Sequence, residues 1–337
     1  MKKKNVACVL LTSLLMLTAC SAPAKVAEVG SDVSIDLSAV KVVSLDDPEI
    51  DTALANSDTV VPSTTERDNT PHVLETSAPG TLTDGNEYAT VDYSNASDGY
   101  IMVDYLGSSS KVKLQITGPN NVTYTYDIHN GYAAFPLVAG DGNYDISVCE
   151  NIEGTKYSLS YRTNLNLTGI SEFGPFLHPN QYVFFKEDNK TITKGANLAA
   201  YCSTDLEVVT NVYNYITKNI TYDYEKADTV KSGYISDVDE ILELGTGICL
   251  DYSAVMTSML RSQGIPTRLE VGYVGKDMVY HAWISVYIED VGWLNNIIQF
   301  NGYEWSLVDP TFGASTNAKT LKEYIGDGTN YSVKYVY

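Results

Sequence analysis

The sequence predicts an all-β sandwich at residues 85–165 followed by a mixed α+β domain at 166–337. Three observations carry this. Seven short stretches of alternating β-type residues fall within residues 85–165, divided by glycine- and asparagine-rich turns. After residue 200 the apolar period changes from two residues to between three and four, the mark of amphipathic helices. A glycine-flanked cysteine, Gly245-Thr246-Gly247-Ile248-Cys249, stands where one of those helices begins.

Residues 1–19 read as a signal peptide, with Lys2, Lys3 and Lys4 ahead of an apolar run from Val6 to Leu17. Leu17-Thr18-Ala19-Cys20 resembles a bacterial lipobox, which implies cleavage before Cys20, lipidation of its sulfur and extracytoplasmic anchoring to a bacterial membrane. Residues 20–84 are rich in Ser, Thr, Asp, Ala and Pro and read as a flexible tether.

The sandwich strands are expected at 88–93, 100–105, 112–117, 122–128, 132–137, 144–149 and 157–163. Exposed tyrosines on them suit either a module binding a cell-surface polymer or a plain spacer, and the sequence favours the spacer. Residues 166–200 are less readable; Tyr182–Phe185 looks like a strand and His178 falls in a loop. Thr204-Asp205-Leu206-Glu207 fits a capping box opening a helix. A second helix starts near Ser236 or Asp237 and stops at Gly245.

Next comes the cysteine helix, with apolar Tyr252, Val255, Met256, Met259 and Leu260 at helical spacing. Cys249 at its N-terminus meets unpaired backbone N–H groups and the positive end of the macrodipole, which favour a thiolate. Gly264-Ile265-Pro266 breaks the helix, and strands follow at 267–274 and 280–288. On the second, His281, Trp283, Ser285 and Tyr287 share one face while Ala282, Ile284, Val286 and Ile288 face the core, so His281 is expected on the opposite surface. A third strand ends at Asp309-Pro310. Cys249, His281 and Asp309 supply a nucleophile, a base and a group to orient the base.

Residues from about 170 to 320 resemble the transglutaminase-like superfamily, through Gly247-Ile248-Cys249-Leu250-Asp251-Tyr252, Gly264-Ile265-Pro266-Thr267-Arg268, His281-Ala282-Trp283 and Val308-Asp309-Pro310-Thr311. The resemblance implies a papain-like α+β core, its cysteine helix packed on an antiparallel sheet that carries the His and the Asp. It also offers Tyr222 as a side-chain donor to an oxyanion. The stretch 293–303 lengthens the His-to-Asp connection; it suits a hairpin beside the cleft or a pairing with another chain.

A net charge of −20 argues against a nucleic-acid partner. Cysteine spacing matches no metal site, and no cofactor is expected. Cys149 and Cys202 read as two buried thiols rather than a disulfide. The expected activity is that of a cysteine peptidase or amidase working through a thioester on peptide or protein substrates, cell-wall peptide among them. A protein-crosslinking transglutaminase and a non-catalytic surface scaffold are the alternatives.

Overall fold

The computed structural model describes residues 67–274, 278–289, 292–294, 298–300, 305–307 and 331–337. Cys20 and Asp309 lie outside the described residues.

The first half is a two-sheet antiparallel sandwich. One sheet has the order β1 (Thr83–Gly85), β2 (Ala89–Asp92), β3 (Tyr100–Tyr105), then β6 (Ala133–Pro136); the other runs β5 (Thr123–Ile128), β4 (Val112–Thr117), β7 (Gly142–Glu153), β8 (Lys156–Leu167). Alternation explains it. In β4, Val112, Leu114 and Ile116 are buried while Lys113, Gln115 and Thr117 face outward, and in β7 Tyr144, Ile146 and Val148 join them in the core. β7 and β8 extend well past the strands expected from sequence, with register shifts at Val148/Cys149 and Asn151/Glu153.

Part of the expected tether, residues 67–84, is described. From Arg67 the chain is fastened to the second half: Arg67 Nε donates to Asp205 at 2.8 Å, Asn69 Nδ2 to the Cys202 carbonyl at 3.0 Å, and the His72 amide to the Ser262 carbonyl at 2.7 Å. Nor does the sandwich stand apart. Gln181 Nε2 donates to the Asp127 carbonyl at 2.6 Å, and Tyr124 and Tyr126 meet Tyr182, Tyr335 and Tyr337 with ring centroids 5.3 to 6.2 Å apart. One apolar core runs through both halves.

The second half contains helices α1 (Lys190–Ala199), α2 (Asp205–Asn219), α3 (Tyr224–Thr229), α4 (Val238–Leu244) and α5 (Cys249–Ser262). The capping box of α2 forms, with Thr204 and Glu207 exchanging both hydrogen bonds. Asp237 caps α4, and Gly245 ends it in the left-handed region at φ 60°. The expected strand at Tyr182–Phe185 is absent. Asn180 Oδ1 instead accepts the Tyr182 and Val183 amides at 3.0 and 3.1 Å, folding the chain into a turn that buries Val183 and Phe185.

Two short strands, β9 (Thr221–Tyr222) and β10 (Thr246–Gly247), pair in parallel. The main sheet has the order β13 (Gly292–Leu294), β12 (Val279–Ile288), β11 (Thr267–Val274), β16 (Tyr331–Val336), all antiparallel. From the 293–303 stretch, β14 (Ile298–Phe300) pairs with β15 (Trp305–Leu307), just beyond it, as a separate two-stranded sheet. Helix α5 packs on β11 and β12, its Val255, Met256 and Met259 joining Leu269, Ala282 and Ile284 in the core. The other face of β12 is covered as well: His281 is 7% exposed, and Trp283 and Ser285 are fully buried, so this face is not the open surface expected from alternation. Tyr331 of β16 lies 5.0 Å from Trp283, and Glu270 accepts from Trp283 Nε1 at 2.7 Å and Ser285 Oγ at 2.8 Å.

Candidate active site

Cys249 is the first residue of α5 and half-buried. The backbone leading to it is held on one side by β9: the Thr221 amide donates to the Gly245 carbonyl and the Asp223 amide to the Gly247 carbonyl, each at 2.9 Å. Gly247 leaves room for the acid one turn ahead, since a Cβ there would come within 2.8 Å of Asp251 Cβ. No real side chain approaches so closely without a shift of the backbone.

That acid organises the helix start. Asp251 is completely buried and accepts four hydrogen bonds, from the Ile248 amide at 2.9 Å, Lys226 Nζ at 2.8 Å, Tyr234 Oη at 2.7 Å and Ser236 Oγ at 2.6 Å. The first is the reverse half of a capping box, an acid at the third helical position bonding the amide before the helix. The others tie the cysteine loop to α3 and to the 230–237 connection. Burial pulls the Lys226 ammonium down, but its hydrogen bonds to Asp251 and Tyr234 outweigh that and leave its pKa raised. Lys226 thus neutralises a carboxylate buried two residues from the sulfur. Little of this network is legible in the sequence. Asp251 at i+3 from Ile248 was its one local sign; Lys226, Tyr234 and Ser236 come from segments with no periodicity to read.

Among the other sequence-derived residues, His281 is the third residue of β12, opposite Gly272 of β11, on the face of Trp283 and Ser285. Cys249 and His281 sit on α5 and β12, which pack together through Ala282 and Ile284, while His281 belongs to the other face of β12. Tyr280, immediately before His281, is a phenol pushed up to about 12, by burial first and then by neighbouring charges that include Cys249. Tyr222 runs beside Gly247 through the β9–β10 pairing, and its half-buried ring contacts Tyr224 at 4.9 Å and Tyr252 at 6.4 Å. Cys149 and Cys202 are buried thiols in separate halves of the chain; burial pushes the Cys202 thiol up to about 12. Among the described residues no cluster of His, Cys, Asp and Glu could hold a metal, and no helix is long and apolar enough to cross a membrane.

The family model of the Transglutaminase-like superfamily matches residues 193–297, a span that takes in Cys249 and His281 and ends before Asp309. This segment is a transglutaminase-like domain. A UPF0252 protein of Methanocaldococcus jannaschii is 24% identical over 230 residues, 60% of this chain and 62% of the relative, so the chain spans less than two thirds of that protein's length. Among solved structures, a candidate cysteine protease from Cytophaga hutchinsonii is 15% identical, covering 71% of this chain and 89% of its own, with a TM-score of 0.33. The periplasmic domain of TgpA from Pseudomonas aeruginosa is 14% identical, covering 77% and 90%, with a TM-score of 0.32. The transglutaminase-like domain thus begins within α1 and includes the Asp251 network together with β11 and β12.

Proposed function

We propose that the chain is a thiol enzyme acting on amide bonds of peptides or proteins, most simply as a cysteine peptidase or amidase. The observation that carries this reading is the placement of Cys249 as the first residue of a fourteen-residue helix in a transglutaminase-like domain, its start fixed by the buried Asp251. In this reading the Cys249 thiolate attacks the amide carbon. The C–N bond breaks as the His281 imidazolium gives its proton to the leaving amine, and a thioester remains on the sulfur. Asp309 orients the imidazole, while the Cys249 amide and the Tyr222 hydroxyl are the proposed donors to the oxyanion. Water then resolves the thioester, and a lysine amine in its place would make the same domain a crosslinking enzyme. We further propose that a lipid on Cys20 holds the enzyme at a membrane.

The test is to incubate the protein with a glutamine-containing peptide, with and without a primary amine, and follow the products by mass. Hydrolysis or amine incorporation that disappears in Cys249→Ala supports the reading and names the acceptor. Neither product across a panel of peptides, with wild type and Cys249→Ala alike, would refute it.

A further inference from the structure

Between the sandwich and the transglutaminase-like domain lies a cavity of about 460 Å³, within the range of sites that hold small ligands and short peptide segments. Met102 and Ala134 of the sandwich and Asn180, Phe184, Ile235 and Ser236 of the second half line it. Phe184 is 54% exposed and Ile235 40%, so its walls present apolar surface to solvent.

One wall is an open strand edge. β6 is the last strand of its sheet, paired only with β3. The Leu137 amide donates to the Gly99 carbonyl, and in an antiparallel ladder hydrogen-bonded pairs alternate, so Phe135/Ile101 and Ala133/Val103 are bonded pairs too. The N–H and C=O of Ala134, a lining residue, consequently point away from β3 along the unpaired edge. Asn180, 3% exposed, also belongs to the lining. An unpaired edge peptide group beside apolar walls is what a strand-adding peptide requires.

Charge narrows the occupant. Asp237 lies in the lining, and the Tyr132 phenol, also there, is raised by burial and then by Asp92 and Asp104. Lys186, 5.6 Å from the Phe184 ring, sets one positive charge against those three carboxylates. The groove also touches the candidate active site: Ser236 lines it and donates to Asp251, two residues from Cys249.

We propose that this groove docks an extended apolar segment of the substrate flanked by basic residues, which adds as a strand to β6 beside Ala134, away from the bond being cleaved. The proposal rests on the reading of a peptide-directed thiol enzyme, although docking itself does not use the thiol.

The test uses the full chain carrying Cys249→Ala and fluorescently labelled acetyl-KVFVK-amide, followed by anisotropy. Saturable binding is expected below about 1 mM. Methylating alternate backbone nitrogens of the peptide, or introducing Ala134→Pro or Ile235→Asp, should each weaken binding by about tenfold or more. The exposed Ile235 position guards against Ala134→Pro simply misfolding. Acetyl-EVFVE-amide should bind more weakly than the lysine peptide. No saturable binding, or binding indifferent to the methylation and to both variants, overturns the proposal. So does self-association of the chain that Ile235→Asp abolishes, which would assign the groove to a second copy. Failure here leaves the thiol chemistry standing; an inert Cys249 in a chain that still binds the peptide would remove the chemistry and keep the groove.

Discussion

Replacing Asp251 by alanine removes an acceptor with no solvent exposure and four donors aimed at it. Losing a helix-capping acceptor costs about 1 kcal/mol, and stranding a buried hydroxyl such as that of Ser236, 4% exposed, costs about 1–3 kcal/mol. Lys226 is left facing the gap, but its side chain is 27% exposed and partly regains water. Taken together the expected loss is about 3–5 kcal/mol, the range for breaking a buried ion pair from one side. All three tryptophans, Trp283, Trp293 and Trp305, belong to the second half of the chain, so urea unfolding followed by their fluorescence reports on it. Removing Lys226 as well, in Asp251→Ala/Lys226→Met, should recover part of the loss because no ammonium is then stranded. A loss below about 1 kcal/mol for Asp251→Ala, or strict additivity in the double variant, would refute the claim that this carboxylate holds the helix start.

Two further predictions concern pH and stability. Burial pulls the His178 imidazole below its ordinary value despite the bond to the Gly174 carbonyl. The unfolded chain therefore takes up the proton first: stability is full above about pH 6.5, falls as pH drops from there through the folded value, and then levels. Urea midpoints for wild type and His178→Gln should diverge across that window, and parallel curves would contradict it. Burial raises Glu270, whose two donors, Trp283 Nε1 and Ser285 Oγ, both reach the same oxygen. With the folded value above the unfolded one, its stabilising contribution is present in acid and lost as pH rises through the folded value. Glu270→Gln can keep both bonds and should match or exceed wild type by about 1 kcal/mol near pH 7, while gaining nothing in acid; a loss above about 2 kcal/mol at pH 7 would contradict this.

What could be read from the sequence was whatever its own neighbours determine. β4 and β11 follow from alternation within six to eight residues, and α2 from a cap three residues long. Helix α1 escaped because its start is capped from elsewhere: Asp239, on α4, accepts the Lys190 and Thr191 amides at 3.1 and 2.9 Å. Its buried face mixes Ile192 and Leu198 with Thr191, Gly195 and Asn197. Tyr182–Phe185 alternates like a strand yet pairs with none among the described residues, and a turn around Asn180 takes up the Tyr182 and Val183 amides. The exposed face expected for His281 is closed by the Glu270 bonds from the neighbouring strand and by Tyr331 of β16, which comes from far along the chain. At the candidate site the helix-start cysteine was legible, because glycine spacing and helical period are local. The acceptor that fixes it was half legible, and its partners on α3 and in the following loop were not.

The most direct test of the account is native-state alkylation with iodoacetamide, mapped by peptide mass over Cys149, Cys202 and Cys249. Cys149 and Cys202 are fully buried and Cys249 is not, so exposure alone would rank Cys249 first; the deciding comparison is therefore with His281→Ala. The account predicts rapid labelling of Cys249 that slows by about tenfold or more when the imidazole is removed, in a variant that unfolds with the same cooperativity. Labelling of Cys249 at an unchanged rate in His281→Ala, or no labelling of Cys249 in the native protein, would contradict a nucleophile activated by that histidine.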